Sequence, residues 1–303
     1  MTKLPRRTLL AAPWALALPP VWGAPASATL NDALAGLERQ NGGRLGVAVL
    51  DTGSGQTWGH REDERFGLCS TFKLLLAAAV LQQIDAGRLS GDQWVRFDGS
   101  RPVPNSPVTD AHRTAGGMTL LALAHATQTT SDNLAANLLM RELGGDQGPQ
   151  WLTQWLRERG DAVTRIDRWE PEMNNVPPGE VRDTSTPAAM ARTAALLLTG
   201  AVLQPKHQAL LQRWTEETRT GLKRLRAGLP KGWRAGDKTG TGWRTGQADK
   251  INDVAIVWPP GRAPWVVACY YEAPLHTAQD LRPQDAAVLA SVGRAVARAI
   301  AKA

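Results

Sequence analysis

The sequence predicts an α/β chain of the α+β kind: one antiparallel sheet built from both chain ends and covered by terminal helices, plus an all-helical domain, with a cleft between them. Three observations predict it. Strand-like apolar runs lie before residue 70 and after residue 230, helical periods fill the stretch between, and amphipathic segments stand near both ends. A sheet whose strands come from distant parts of the chain places the intervening segment as an insertion.

Leu30 to Arg39 has the spacing of a short amphipathic helix. Arg44-Leu-Gly-Val-Ala-Val-Leu-Asp51 is a compact apolar run, and Thr-Gly-Ser-Gly after it signals a hairpin into Gln56–His60. From Ser70 to about Gly221 helical periods are separated by breaks such as Gly144-Gly145 and Pro177-Pro178-Gly179. Helix Phe72–Ile84 is apolar nearly all round, which places it at the centre of that region. Strands return at Trp233–Thr241, Asn252–Trp258 and Trp265–Glu272, and the last two are joined by Pro259-Pro260-Gly261. A helix from Pro283 to Ala303 closes the chain. The expected division is residues 29–69 with 222–303 as an α/β domain, and 70–221 as the all-helical domain.

The first 28 of the 303 residues carry Lys3, Arg6 and Arg7, a Pro-broken apolar stretch from Leu9 to Trp22, and the small-residue pattern Ala26-Ser27-Ala28. That is the pattern of a cleaved export signal. The paired arginines leave a twin-arginine route open beside the general one. Removing those residues takes away three cations and no acid, so the formal net charge falls from +7 to +4. The remaining Lys and Arg are interleaved with Asp and Glu, which argues against a nucleic-acid footprint. No later apolar run reaches membrane-spanning length, so a chain released into the bacterial periplasm, with no membrane attachment after signal removal, is expected. Cys69 abuts a helix start and Cys269 lies inside an apolar run, so two buried free thiols are expected over a disulfide. No Cys-x-x-Cys or His-x-x-x-His spacing suggests a metal, and no cofactor is expected. The 12 tryptophans are dispersed, and packing or surface stacking explains them better than a ligand platform.

Four segments carry the chemistry: Ser70-Thr-Phe-Lys73, Ser131-Asp132-Asn133, Glu170-Pro-Glu-Met-Asn174 and Lys238-Thr239-Gly240. Each has an ordinary reading as a helix cap, an exposed turn or a strand end. Together and in this order they form a catalytic set. Lys73 stands one helical turn beyond Ser70 on the same face, where a desolvated amine can serve a serine nucleophile. A helix start also aims main-chain N–H groups at charge developing on an attacked carbonyl.

These motifs, with Arg168-Trp-Glu-Pro-Glu-Met-Asn174, Arg182-Asp183-Thr184 and Asp237-Lys-Thr-Gly-Thr-Gly242, make the chain resemble a class A serine β-lactamase over nearly its whole mature length. The resemblance implies an acyl-enzyme on Ser70 and an oxyanion hole at the N–H groups of Ser70 and Thr241. It implies proton relay to the leaving nitrogen by Ser131, and deacylation by a water on Glu170 and Asn174. Whether Lys73 or Glu170 through water deprotonates Ser70 stays open. Lys238, Thr239, Gly240, Thr241 and Arg224 match substrate-carboxylate positions, Asn133 the position that binds the side-chain amide, and Asp132 a structural one. Arg168 and Asp183 would pin the loop carrying Glu170 by an ion pair. The substrates implied are small-molecule β-lactams, penicillins and cephalosporins, and a monomer is expected.

Three positions depart from relatives. Asn105 replaces a substrate-stacking aromatic, and Gly242 stands where carbapenem-hydrolysing relatives carry the cysteine that bridges the one before the nucleophile. Thr241 in place of Ala or Gly modestly favours cephalosporins. A D-Ala-D-Ala carboxypeptidase or penicillin-binding protein shares three of the four motifs but lacks the Glu-Pro-Glu-x-Asn loop. A non-enzymatic β-lactam sensor would need a signalling partner for which no segment is present.

Overall fold

The computed structural model describes residues 26–98, 102–275 and 282–302. In chain order its elements are α1 (Ala26–Asn41), β1 (Arg44–Asp51), β2 (Thr57–His60), β3 (Phe66–Gly67), α2 (Phe72–Asp85), β4 (Trp94–Arg96), α3 (Pro107–Ala111), β5 (Gly117–Thr119) and α4 (Leu120–Thr129). There follow α5 (Asn133–Gly144), α6 (Gly148–Arg157), β6 (Thr184–Ser185), α7 (Pro187–Thr199), α8 (Pro205–Glu217), β7 (Arg234–Gly242), β8 (Lys250–Trp258), β9 (Trp265–Glu272) and α9 (Pro283–Lys302). The export-signal expectation lies outside the described residues up to position 25, and residues 26–28 belong to the first turn of α1.

A five-stranded sheet in the order β2-β1-β9-β8-β7 forms the frame, with every pairing antiparallel. β1 pairs with β9 over all eight of its residues, from Arg44 opposite Glu272 to Asp51 opposite Trp265, so the two ends of the chain meet in the middle of the sheet. The β1–β2 hairpin turns because the Asp51 carboxylate accepts from Gly53 N at 2.9 Å and Ser54 Oγ at 2.7 Å, and Gly55 takes φ +74°.

Alternation along the strands sorts two cores. Leu45, Val47 and Val49 of β1 with Val267, Cys269 and Tyr271 of β9 pack under α1 and α9. Ala48, Val254, Ile256, Val266, Ala268 and Tyr270 point to the opposite face, into the cluster centred on α2. Both faces are covered, which is why these strands are nearly uninterrupted in apolar residues. Helix α2 is buried from Phe72 to Leu81, as an all-round apolar helix must be. Truncating one of its fully buried leucines, such as Leu75, to Ala typically costs about 2–5 kcal/mol.

The stretch expected to be purely helical also contains short ladders. β4 pairs with β5 inside it, and β6 pairs with β3, which lies before residue 70. Helix α7 of that stretch packs directly on β1 and β9. The two cysteines are free and buried. They sit on opposite sides of the sheet: Cys269 in the core under α1 and α9, Cys69 beside Gly240 and Gly242 on the other face. Burial pushes the Cys69 thiol up to about 12, so it stays protonated and unreactive at neutral pH.

Candidate active site

Ser70 occupies a single 3₁₀ turn, Cys69–Thr71, at the entrance to α2, and Cys69 before it has φ +45°. Its hydroxyl does not cap the helix. Thr71 is the residue at the cap position, and its Oγ1 donates to Leu68 O at 2.7 Å. Ser70 Oγ instead donates to Glu170 Oε1 at 3.4 Å. One turn along, Lys73 Nζ lies 3.1 Å from the same Glu170 oxygen and donates to Ser131 O at 2.8 Å and to Asn133 Oδ1. Neither Lys73 nor Glu170 exposes side-chain surface. Burial pushes the Lys73 pKa below the ordinary lysine value, and the Glu170 charge opposes that shift.

The Ser131-Asp132-Asn133 segment is held from below by its aspartate. Asp132 caps α5 by accepting from Ala135 N at 2.8 Å, and it also accepts from Val108 N and Thr109 N, each at 2.9 Å. That anchorage supports Ser131 at φ +63°, a conformation a non-glycine residue adopts at a cost. Asn133 Nδ2 donates to Pro104 O at 2.8 Å, and Asn105, at φ +59°, donates from Nδ2 to Ser131 O at 3.2 Å.

The segment from Arg168 to Asp183 is closed at its base. Arg168 Nε donates to Asp183 Oδ2 at 2.5 Å, and the Asp183 carboxylate also accepts from Asp167 N at 2.7 Å and Arg168 N at 3.0 Å. The Glu170-Pro171 peptide is cis. Asn137 grips the main chain of Glu170 on both sides, donating to its carbonyl at 2.9 Å and accepting from its N–H at 3.0 Å. Asn174 Nδ2 donates to Glu170 Oε2 at 2.5 Å. Among the described residues Asn174 Oδ1 is buried with no hydrogen-bond partner.

Strand β7 is the sheet edge and forms the opposite wall. Lys238 Nζ donates to Ser131 Oγ at 3.1 Å, and burial together with the nearby Lys73 charge pushes its pKa well below the ordinary lysine value. The hydroxyls of Thr239 and Thr220 lie 2.7 Å apart. Arg224 is only 7% exposed and donates to Gly240 O, to Asn252 O and, from Nη2, to Thr241 Oγ1 at 2.7 Å. Behind the strand Asp237 pairs with Arg226 at 3.3 Å, and burial pushes its carboxyl up to about 6.

These walls enclose a cleft of about 470 Å³ lined by Ser70, Ser131, Asn133, Arg224, Thr239 and Thr241 among others. It adjoins an open hollow of about 740 Å³ between Pro104, Pro171 and Gly242–Thr245. Lys73, Lys238 and Arg224 bring nitrogen donors to the walls of the cleft, a lining suited to an anion. Of the residues singled out in the sequence, Ser70, Asn105, Ser131, Asn133, Asn174, Arg224, Thr239 and Thr241 line this cleft. Lys73, Glu170 and Lys238 lie beneath its surface within the hydrogen-bond network, Gly240 lies in the β7 wall, and Asp132, Arg168 and Asp183 support it from outside.

Four contributors escaped the sequence reading: Asn137, Thr220, Trp243 and Asn252. Asn137 stands one helical turn past Asn133 on the same face, a spacing that could have flagged it. Trp243 follows the Lys238–Gly242 motif directly, is 59% exposed, and lines both hollows. It supplies an aromatic wall to a site where Asn105 has none. At Gly242 an added Cβ would come within 2.8 Å of Cys69 Sγ, so the absence of a side chain there relieves a collision.

The fold is that of the class A β-lactamases, hydrolases that act on β-lactams. Residues 28–300 match the model of the β-lactamase enzyme family, and the chain belongs to that family. It is 44% identical over 266 residues to β-lactamase FAR-1 of Nocardia farcinica, covering 88% of this chain and 81% of that one. It is 46% identical over 281 residues to β-lactamase L2 of Stenotrophomonas maltophilia, covering 91% and 88%. Its structure matches an ancestral class A β-lactamase (GNCA) with a TM-score of 0.82 at 51% identity, over 89% of this chain and 99% of that one.

Proposed function

We propose that the chain hydrolyses the β-lactam amide of penicillins and cephalosporins through an acyl-enzyme on Ser70, and so confers resistance to them. One observation carries this reading. The Glu170 carboxylate lies between Ser70 Oγ at 3.4 Å and Lys73 Nζ at 3.1 Å, with Asn174 on its second oxygen. Such a carboxylate can take a proton from a water lodged against the ester, and the unpartnered Asn174 Oδ1 can accept that water's other hydrogen.

The geometry supports the following course. Ser70 attacks the lactam carbonyl after losing its proton toward Lys73 or toward Glu170 through water. The main-chain N–H groups of Ser70 and Thr241 receive the developing oxyanion, a contribution of roughly a hundred- to a thousandfold in rate for one donor. Ser131 passes a proton, supported by Lys238, to the departing nitrogen. Lys238, Thr239, Gly240, Thr241 and Arg224 take the substrate carboxylate at one end of the cleft, with charge assistance. Asn133 and Asn105 flank the acyl side chain at the other. Water activated by Glu170 then frees Ser70, which separates this chemistry from that of a peptidase whose ester persists.

The same reading treats residues 29–69 with 222–303 as the α/β unit and 70–221 as the helical one. The segment before residue 29 is read as an export signal that delivers a monomeric enzyme to the periplasm. Among the described residues no helix is long and apolar enough to cross a membrane.

The test is turnover of a chromogenic cephalosporin by the purified chain in the presence of a metal chelator. Many turnovers per molecule are expected, and Ser70→Ala should abolish them. A single stoichiometric burst followed by silence would assign the chain to the slow-deacylating penicillin binders instead.

A further inference from the structure

Gly46, Tyr270, Asn252 and Gly240 are register partners in one row across β1, β9, β8 and β7. Paired positions share a sheet face, and this row lies against the turn that carries Ser70. The outer members are glycines because nothing larger fits. A Cβ on Gly46 would meet the Phe66 ring at 2.3 Å, and one on Gly240 would meet Leu68 O at 2.8 Å and Cys69 Cβ at 3.2 Å. Two polar side chains rise between them. Asn252 Nδ2 donates to Gly67 O at 2.9 Å and Leu68 O at 3.2 Å, and Tyr270 OH lies 3.3 Å from Thr71 Oγ1.

Asn252 is 1% exposed, and a leucine of similar size would fill the same space. The carboxamide therefore does something packing alone would not require. Its main-chain carbonyl accepts from Arg224 Nη1 at 2.6 Å, and the same nitrogen donates to Gly240 O at 2.9 Å. The result is a continuous run of hydrogen bonds from Leu68, two residues before the nucleophile, through Asn252 and Arg224 to Gly240, one residue before Thr241. These two chain segments supply the two halves of the proposed oxyanion hole.

We propose that Asn252 is a positioning residue for that hole, its carboxamide setting the separation between the Ser70 and Thr241 N–H groups. The inference rests on the proposed function, which places the substrate oxyanion at those two groups. Asn252 touches no substrate. It acts through the turn it holds, and Tyr270 steadies the far side of that turn through Thr71.

The test uses a Glu170→Gln chain to accumulate the penicilloyl ester and reads its carbonyl stretch by infrared difference spectroscopy. Donors in the hole draw that band to lower wavenumber. Adding Asn252→Leu should move the band to higher wavenumber and broaden it. In the chain that keeps Glu170, Asn252→Leu should lower kcat roughly ten- to a hundredfold, the scale of a misplaced reacting group. An unmoved band in a folded Asn252→Leu protein overturns the inference whether or not kcat falls, because lost stability alone does not depolarise the ester. Should Asn252→Leu fail to fold, Asn252→Ser, which keeps a donor but shortens its reach, decides by the same band. Absence of any ester on the Glu170→Gln chain would overturn the proposed function, and this inference with it.

Discussion

Two clusters of charged side chains lie in different surroundings: the rim favours charged forms, and the cleft pushes its lysines toward neutral ones. On the rim of the sheet Arg61 forks onto Glu38 at 2.8 Å through both Nε and Nη2, and Arg44 forks onto Glu272 at 2.9 and 3.0 Å. Glu64 bridges the two arginines at 2.9 and 3.1 Å. Every charge there has its partner and a share of water, and the Arg61 guanidinium holds the Glu38 carboxyl down to about 2. In the cleft Lys73 and Lys238 lie near Glu170, and Arg224 near Asp237 and Asp253, all buried. Burial drives both lysines toward their neutral forms. A partly solvated, paired cluster fixes structure; a buried one whose lysines are pushed toward neutrality can move protons.

The largest effect should come from the cleft. Lys73→Ala removes the cation that pairs with Glu170 and reaches Ser131, and acylation measured by stopped flow should slow roughly a hundred- to ten-thousandfold, the usual scale of acid–base assistance. A loss below tenfold would mean that the buried lysine is only a counter-ion. NMR titration of the Lys73 ammonium should give a midpoint below the ordinary value near 10.4, so its proton leaves earlier as pH rises.

Next comes the base of the loop. Arg168→Ala leaves the fully buried Asp183 without its guanidinium, a change that typically costs about 3–5 kcal/mol when a buried pair is broken. Chemical denaturation should show that loss, and kcat should fall with it because Glu170 is displaced. Equal loss of stability with kcat intact would show that the Asn137 clamp alone positions Glu170.

The rim should respond least. Glu38→Gln is expected to cost about 1 kcal/mol at neutral pH, since its partners are partly solvated. The Glu38 pKa is lowered on folding, so its contribution is present above its unfolded value near 4.5 and disappears as pH falls toward about 2. Denaturation midpoints followed between those limits should drop less steeply in the variant than in the parent. Parallel curves would place the acid sensitivity elsewhere.

Much of this was legible in the residues. Strands Arg44–Asp51 and Trp265–Glu272 stand where their apolar runs put them, because a core on both faces leaves little ambiguity. Helix α2 runs one residue past the expected Ile84. The four motifs converge because each joins a chemically distinctive residue to a turn or cap that fixes its direction. The two-stranded ladders at Phe66–Gly67 and Trp94–Arg96 were not legible, being too short to show a period. Asn137 and Asn252 were missed for a different reason. Both bond to main-chain atoms distant in sequence; the helical spacing from Asn133 was the one local sign for Asn137, and nothing local separates Asn252 from a weak strand residue. Ser70 alone has the look of a cap; its company with the other three motifs pointed to a nucleophile, and its hydroxyl lies 3.4 Å from Glu170 Oε1.

Intact-mass spectrometry of Glu170→Ala after mixing with a penicillin tests the central claim most directly. The account expects nearly every molecule to carry one penicilloyl group that persists long after the parent enzyme has consumed its substrate, and expects none on Ser70→Ala. A Glu170→Ala protein that clears its adduct as fast as the parent would contradict it.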